Sequence, residues 1–306
     1  MKGPIRALDR WVQADGIRLH LLDWGGGGEG EPLVFLAGYG NTPHVFDDLA
    51  RRLFAGRRIV GLTRRGHGRS EQPPSGYDTR SLASDIVRVL DALCFDRAVL
   101  VGHSFAGHEM TCVAAEYPDR VSGLVYLDAL YPLNDERIAL MMENPTRATS
   151  APPEAFSSVA AYSEDFVTRY AAYRRLRSPE WDRLMGYGLE RTTDGQYREI
   201  LRPESGQQLL QGSVDYGLPL TAIRCPVLAV YAFQDESWLL GDHASEELRE
   251  ATRQYVERLH RFVRGWEETV RQEIRDVTIV ELEDTSHYCF LDREADVEEA
   301  IGAFLG

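Results

Sequence analysis

A serine, a histidine and two aspartates in this chain each follow a short apolar run, and their types suit nucleophilic catalysis. In RAVLVGHSFAGHEM (residues 97–110) the run Ala98–Val101 stops at Gly102, and a helix-like stretch begins just past Ser104. Gly102, Ala106 and Gly107 around the serine imply a turn too sharp for larger side chains, with Ser104 displayed at its apex. A hydroxyl becomes a useful nucleophile only when a base removes its proton during attack. His287, in DTSHYCF, is the imidazole placed to do so, and a carboxylate on its other nitrogen would fix the tautomer and stabilise the imidazolium. Two carboxylates compete for that place: Asp128 in GLVYLDALYP and Asp235 in PVLAVYAFQDES. Asp128 is flanked by Leu127, Ala129 and Leu130, where an unpaired carboxylate is costly, whereas Asp235 has polar neighbours and is easily solvated. Both stay open, the burial argument favouring Asp128.

Other polar residues near these positions have plainer readings. His103 should point away from the nucleophile in such a turn and serve the structure, as should His67 in RRGHG. His108 and Glu109 lie on the helix after Ser104 and are expected to be hydrogen-bonded or at the surface. Cys94, Cys112, Cys225 and Cys289 are widely spaced with no CxxC pair, so they read as buried thiols, with no metal site or disulfide expected. GGGGEGEP (residues 25–32) lacks a GK[ST] ending and precedes a strand, so it is a turn and not a phosphate loop.

The elements that must position these groups can be read from periodicity. Trp11–Ala14 and Ile17–Trp24 form a hairpin signal around Asp15-Gly16. Continuous apolar runs follow at Leu33–Ala37, Ile59–Leu62, Ala98–Val101, Gly123–Leu127, Val227–Tyr231 and Val277–Leu282, with amphipathic stretches at Val45–Phe54, Ser81–Leu93 and Ala106–Glu116. Apolar strands alternating with helices predict an α/β fold with a mainly parallel sheet covered on both faces, the hairpin adding antiparallel strands at one edge. The alternation breaks over residues 131–221, which read as short helices (Glu164–Arg177, Glu180–Leu189) and an inserted helical cap. Residues 1–130 and 222–306 then form the core, with a second insertion from Asp242 to about Arg275 as one long amphipathic helix. In an open parallel sheet the site lies beyond the carboxyl ends of the strands, where Ser104, Asp128, Asp235 and His287 all fall.

These motifs resemble those of the α/β-hydrolases. Gly102-His103-Ser104-Phe105-Ala106 is similar to the nucleophile elbow G-x-S-x-G, with Ala106 in place of the last glycine. LTRRGHGRS resembles the family's RGxGxS turn, and LAGYG its HGxG oxyanion turn, with Ala37 in place of the histidine. The resemblance implies an eight-stranded α/β-hydrolase fold, the order Ser…acid…His, and an acid at Asp235 by the family's usual habit or at Asp128 by a minority one. It also implies that the backbone N–H groups of Tyr39 and Phe105 hold the oxyanion, provided the Tyr39 turn curls toward Ser104. No metal or organic cofactor is implied. Epoxide hydrolases and haloalkane dehalogenases fit less well, because they use an aspartate nucleophile.

Composition narrows the partners. Of 306 residues, 34 are Lys or Arg and 48 are Asp or Glu, a net charge of −14 that repels phosphate backbones and argues against nucleic acid. The opening MKGPIRALDRWVQADG has no apolar core for a signal peptide, and no run approaches the roughly 18 apolar residues of a membrane helix. A cytoplasmic hydrolase acting on a small-molecule acyl substrate is expected: an ester, lactone or related compound cleaved through an acyl-enzyme on Ser104. Thioesterase, amidase or carbon–carbon-bond hydrolysis by the same residues stays open, as does a receptor-like ligand binder on this scaffold; oligomeric state is not legible. Phe156, Tyr162, Phe166, Tyr170, Tyr173, Trp181 and Tyr187 permit an apolar pocket or simple packing.

Overall fold

The computed structural model describes residues 7–54 and 56–306; residues 1–6, the start of the segment read above for a leader, lie outside the described residues. Eight strands form one sheet: β1 (Leu8–Ala14), β2 (Ile17–Gly25), β3 (Gly30–Leu36), β4 (Arg57–Leu62), β5 (Ala98–His103), β6 (Val121–Leu127), β7 (Val227–Phe233) and β8 (Val277–Glu283). Their spatial order is β1-β2-β4-β3-β5-β6-β7-β8. Strand β2 is antiparallel to β1 and β4, and all other pairs are parallel. The hairpin turns at Asp15 and Gly16, both with positive φ (46° and 87°), the geometry that matches the twist of the flanking strands.

Every residue of β5 is buried, as its unbroken apolar run requires of a central strand with helices on both sides. On one face α1 (Thr79–Ala92), α2 (Ala106–Glu116) and α7 (Glu246–Glu273) cover a core that includes Val34, Leu100, Met110 and Val263. On the other, α8 (Glu294–Leu305) and Phe46 cover Phe35, Val101, Val230 and Phe290.

Between β6 and β7 run α3 (Asp135–Met142), α4 (Val159–Arg169), a 3-10 turn (Ala171–Leu176), α5 (Pro179–Gly186), a two-stranded ribbon and α6 (Pro203–Tyr216). The helix expected over Glu164–Arg177 therefore starts earlier and breaks in the middle. Ser158 fixes its start by accepting the Ala161 N–H at 3.0 Å, a capping contact that periodicity alone does not reveal. Ser178 and Ser245 cap α5 and α7 in the same way, so α7 begins at Glu246 and not at Asp242. Val45–Phe54 divides into a 3-10 turn (Pro43–Phe46) and a short helix (Asp47–Arg52), because Pro43 opens the turn. Most of the aromatics in this segment pack on one another: Tyr173 and Trp181 lie 5.4 and 5.2 Å from the ring of Tyr288, beside His287.

Candidate active site

Ser104 sits where β5 turns into α2, in left-handed backbone (φ 55°), a strained conformation for a residue with a side chain. The glycines around it are there for space. A methyl group at Gly102 would lie 2.1 Å from Met110 Sδ, and one at Gly107 would lie 2.0 Å from the Ala129 carbonyl oxygen. Ala106 is fully buried and its methyl already fills the room over Gly102, so alanine serves where the G-x-S-x-G pattern has glycine.

Asp128 ends β6 with φ 48°, and its N–H is held by the Val230 carbonyl at 2.8 Å. Its carboxylate accepts three hydrogen bonds: His287 Nδ1 at 2.5 Å, the Tyr131 hydroxyl at 2.6 Å and the Ala232 N–H at 3.1 Å. An ionised carboxylate only accepts, so Nδ1 carries a proton, and in the neutral imidazole Nε2 is then the nitrogen with the lone pair. Burial and the adjacent Asp128 charge push the Tyr131 phenol well above its usual range, so it stays a donor. Asp235 is elsewhere. It is exposed and caps a short helical turn, accepting the Ser237 N–H at 2.7 Å. The structure thus brings Asp128, and not Asp235, to His287.

His103 lies behind this pair. Its Nε2 donates to the His287 carbonyl at 2.9 Å, the two rings are 4.4 Å apart, and burial with the neighbouring His287 lowers its pKa well below the imidazole range. It is a neutral buttress for the His287 backbone. Ser104 Oγ and His287 share no hydrogen bond in this structure. His67 is also buried and neutral, its pKa pushed down to about 3 by burial and by Arg64; it accepts the Gly40 N–H at 3.2 Å.

The Gly38 turn does approach the serine: a methyl at Gly38 would lie 3.1 Å from Ser104 Cβ. Arg64 holds this turn from beneath, donating to the Ala37 carbonyl at 2.7 Å and the Gly38 carbonyl at 3.4 Å. The Asn41 N–H also reaches the Gly38 carbonyl, at 3.2 Å. In a trans peptide the N–H points opposite to the carbonyl, so these contacts turn the Tyr39 N–H away from Arg64. Arg64 is itself gripped by Glu109 on α2 through two hydrogen bonds of 2.9 and 2.5 Å. Glu109 is therefore not a surface residue but half of a buried ion pair, 45 residues from its partner; burial raises its pKa while Arg64 opposes that. Sequence reasoning missed this pair, and Tyr131 too, whose only signal was its place three residues after Asp128.

A cavity of about 1050 Å³ opens beside Asp128 and His287, bounded by α3, α6, α7 and the 3-10 turn. Cys112 and Cys289 are buried free thiols, as expected, but Cys94 is exposed and Cys225 half-buried. Cys94 closes a turn at positive φ (55°) after α1, which keeps it out of the core. Among the described residues no cluster of His, Cys, Asp and Glu is arranged to hold a metal, and no helix is long and apolar enough to cross a membrane.

Comparison with known proteins agrees with this geometry. Over 150 residues the chain is 33% identical to a non-heme chloroperoxidase of Streptomyces lividans, covering 48% of this chain and 51% of that protein. It is 34% identical over 150 residues to the bifunctional esterase/perhydrolase DCH of Acinetobacter calcoaceticus, covering 47% and 50%. The chain thus spans about half the length of these curated relatives. The crystal structure of E-2-(acetamidomethylene)succinate hydrolase superposes with a TM-score of 0.72 at 22% identity, covering 98% of this chain and 99% of that one. An N-acyl homoserine lactone degrading enzyme superposes with a TM-score of 0.63 at 22% identity, covering 96% and 100%. The pattern of the α/β hydrolase fold matches residues 31–265, and with the elbow and the sheet order it places the chain in the α/β-hydrolase fold family.

Proposed function

We propose that this hydrolase cleaves a carboxylic ester, lactone or related small acyl substrate through an acyl-enzyme on Ser104. The observation that carries this reading is the 2.5 Å contact between His287 Nδ1 and Asp128, which leaves Nε2 free to act as a base at the sheet edge that also carries a strained, displayed serine. As Ser104 Oγ attacks the acyl carbon, its proton passes to His287 Nε2, and the carbonyl electrons move onto oxygen. Collapse of that intermediate expels the alkoxide, which takes the same proton. Water then repeats the sequence on the acyl-enzyme, releasing the acid and restoring Ser104. The nucleophile–base hydrogen bond is commonly long without substrate and tightens when it binds.

The N–H groups of Tyr39 and Phe105 serve as the oxyanion hole in this reading, each worth roughly 3–4 kcal/mol. The Arg64 grip on the Gly38 carbonyl and the close approach of Gly38 to Ser104 support that role. Residues 131–221 act as the cap over a core of residues 1–130 and 222–306. The Acinetobacter relative, named an esterase/perhydrolase, supports acyl transfer over the matched half. A fluorophosphonate probe tests the assignment: it should label the wild-type protein once, and Ser104→Ala should abolish both labelling and turnover of 4-nitrophenyl acetate. Labelling that survives the substitution overturns the reading.

A further inference from the structure

The cavity beside His287 contains a cation without a counterion. Arg137, on α3, lines the cavity and stacks its guanidinium 4.3 Å from the ring centre of Tyr131, the residue whose hydroxyl donates to Asp128. Its guanidinium makes no ion pair and no hydrogen bond among the described residues. Arg137 is half-buried, and the contrast with the buried arginines Arg64 and Arg65 is sharp. Arg64 is held by both oxygens of Glu109, and Arg65 by both oxygens of Asp85 at 2.7 Å each. Asp128 cannot do the same for Arg137, since its two oxygens already accept from His287, Tyr131 and Ala232.

The surroundings point the same way. In a chain of net charge −14, this cavity is lined by Arg137, Arg147 and Arg169 against two carboxylates, Asp128 and Glu204. Among the described residues, only Arg169 of the three arginines has an acidic partner, Asp165. Burial lowers the pKa of Arg137 in spite of the nearby Asp128 and tyrosines, so an incoming anion relieves a desolvated charge.

We propose that the cavity takes an acyl substrate bearing a carboxylate, which Arg137 receives through its planar fork while the scissile acyl group lies at Ser104. A carboxylate matches the two parallel N–H donors of one guanidinium, and the remaining wall, with Ile138, Met141 and Leu133, suits an apolar spacer between the two ends. This deepens the serine-hydrolase reading and rests on it.

Two measurements test the proposal. In the first, 4-nitrophenyl hemiglutarate is compared with its neutral counterpart 4-nitrophenyl pentanoate. Wild-type protein should handle the anion at least as well as the neutral ester. Arg137→Met should lower the kcat/KM ratio of anion to neutral by about 10- to 100-fold, mostly through KM, the scale of a charged hydrogen bond, and Arg137→Lys should restore part of it. Equal losses on both esters would assign Arg137 a structural role and overturn the proposal, as would an unchanged ratio. The second needs neither turnover nor a folded Arg137 variant: calorimetry of the Ser104→Ala protein with glutarate and with glutaramide. Glutarate should bind and glutaramide should not. Equal or absent binding refutes the carboxylate site, whereas failure of the wild-type protein to cleave either ester refutes the serine-hydrolase reading instead.

Discussion

At the carboxyl edge of the sheet the groups around His287 are held by several hydrogen bonds, whereas the cavity beside it also presents exposed apolar side chains and a guanidinium with no acidic partner among the described residues. Asp128 accepts three hydrogen bonds, Arg64 reaches two carbonyls and a carboxylate, and His103 braces the His287 backbone. On the cavity wall Met141 and Met142 are 51% and 59% exposed, Leu210 is 43% exposed, and Arg137 has no counterion among the described residues. The difference separates two tasks. Groups that act on every substrate are fixed in advance by the fold, at the cost of backbone strain at Ser104 and Asp128. Groups that meet only the substrate's periphery stay open until it arrives.

The largest effect should come from breaking the fixed side. Asp128→Asn keeps the shape but favours the wrong imidazole tautomer, a change that costs about 10⁴-fold in serine proteases. Steady-state turnover of an aryl ester should fall by 10²- to 10⁴-fold in this variant and by less than about 2-fold in Asp235→Asn, where the asparagine oxygen can keep the helix cap. A large loss at Asp235 with little at Asp128 would reverse the assignment of the acid.

The ion pair beneath the Gly38 turn, the oxyanion turn of the proposed mechanism, should come next. Arg64→Met leaves the Glu109 carboxylate buried and alone, so urea unfolding should show a loss of about 3–5 kcal/mol. Removing both charges, as Arg64→Met with Glu109→Leu, should recover much of that stability. Turnover should not recover with it, because the Ala37 and Gly38 carbonyls have still lost their donor. Recovery of both would mean that the pair stabilises the fold without orienting the turn.

The smallest effect concerns an exception to the rule of satisfied groups. Glu267, on the buried face of α7, has its pKa pushed up to about 7 by burial and by Glu281, with Arg271 4.0 Å away. A carboxyl raised in the folded state adds stability that is complete below its ordinary value of 4.5 and lost as pH rises through about 7. Glu267→Gln removes that slope. Its stability relative to wild type should therefore increase by about 1–3 kcal/mol between pH 4.5 and pH 8, read from chemical denaturation at both. A difference independent of pH would refute this origin.

How far the sequence carried these conclusions depended on whether each signal was local. The elbow was legible because the need for Gly102 and Gly107 arises within a few residues of Ser104. Asp128 and Asp235 differed already in the polarity of their neighbours, which reflects one being buried beside an imidazole and the other capping a turn in solvent. The start of α4 was legible in principle through Ser158, which is followed at once by Val159, Ala160, Ala161 and Tyr162, but the charged residues from Glu164 on were the stronger amphipathic signal. The Arg64–Glu109 pair was out of reach, since 45 residues and two turns separate its members and neither flanking sequence is unusual. Arg137 was equally hidden, because what distinguishes it is the missing partner.

The Asp128–His287 contact closes across 159 residues, joining a central strand to β8 at the edge of the sheet. Strand β8 has one neighbour, β7, and of its residues only Leu282 is buried. Edges of this kind open locally at lower free energy than the strands they border. Detachment of β8 and the loop after it would leave the elbow at Ser104 intact while His287, the base in the proposed mechanism, departs. On that reading the site would be lost from a molecule still largely folded, before the whole sheet melts.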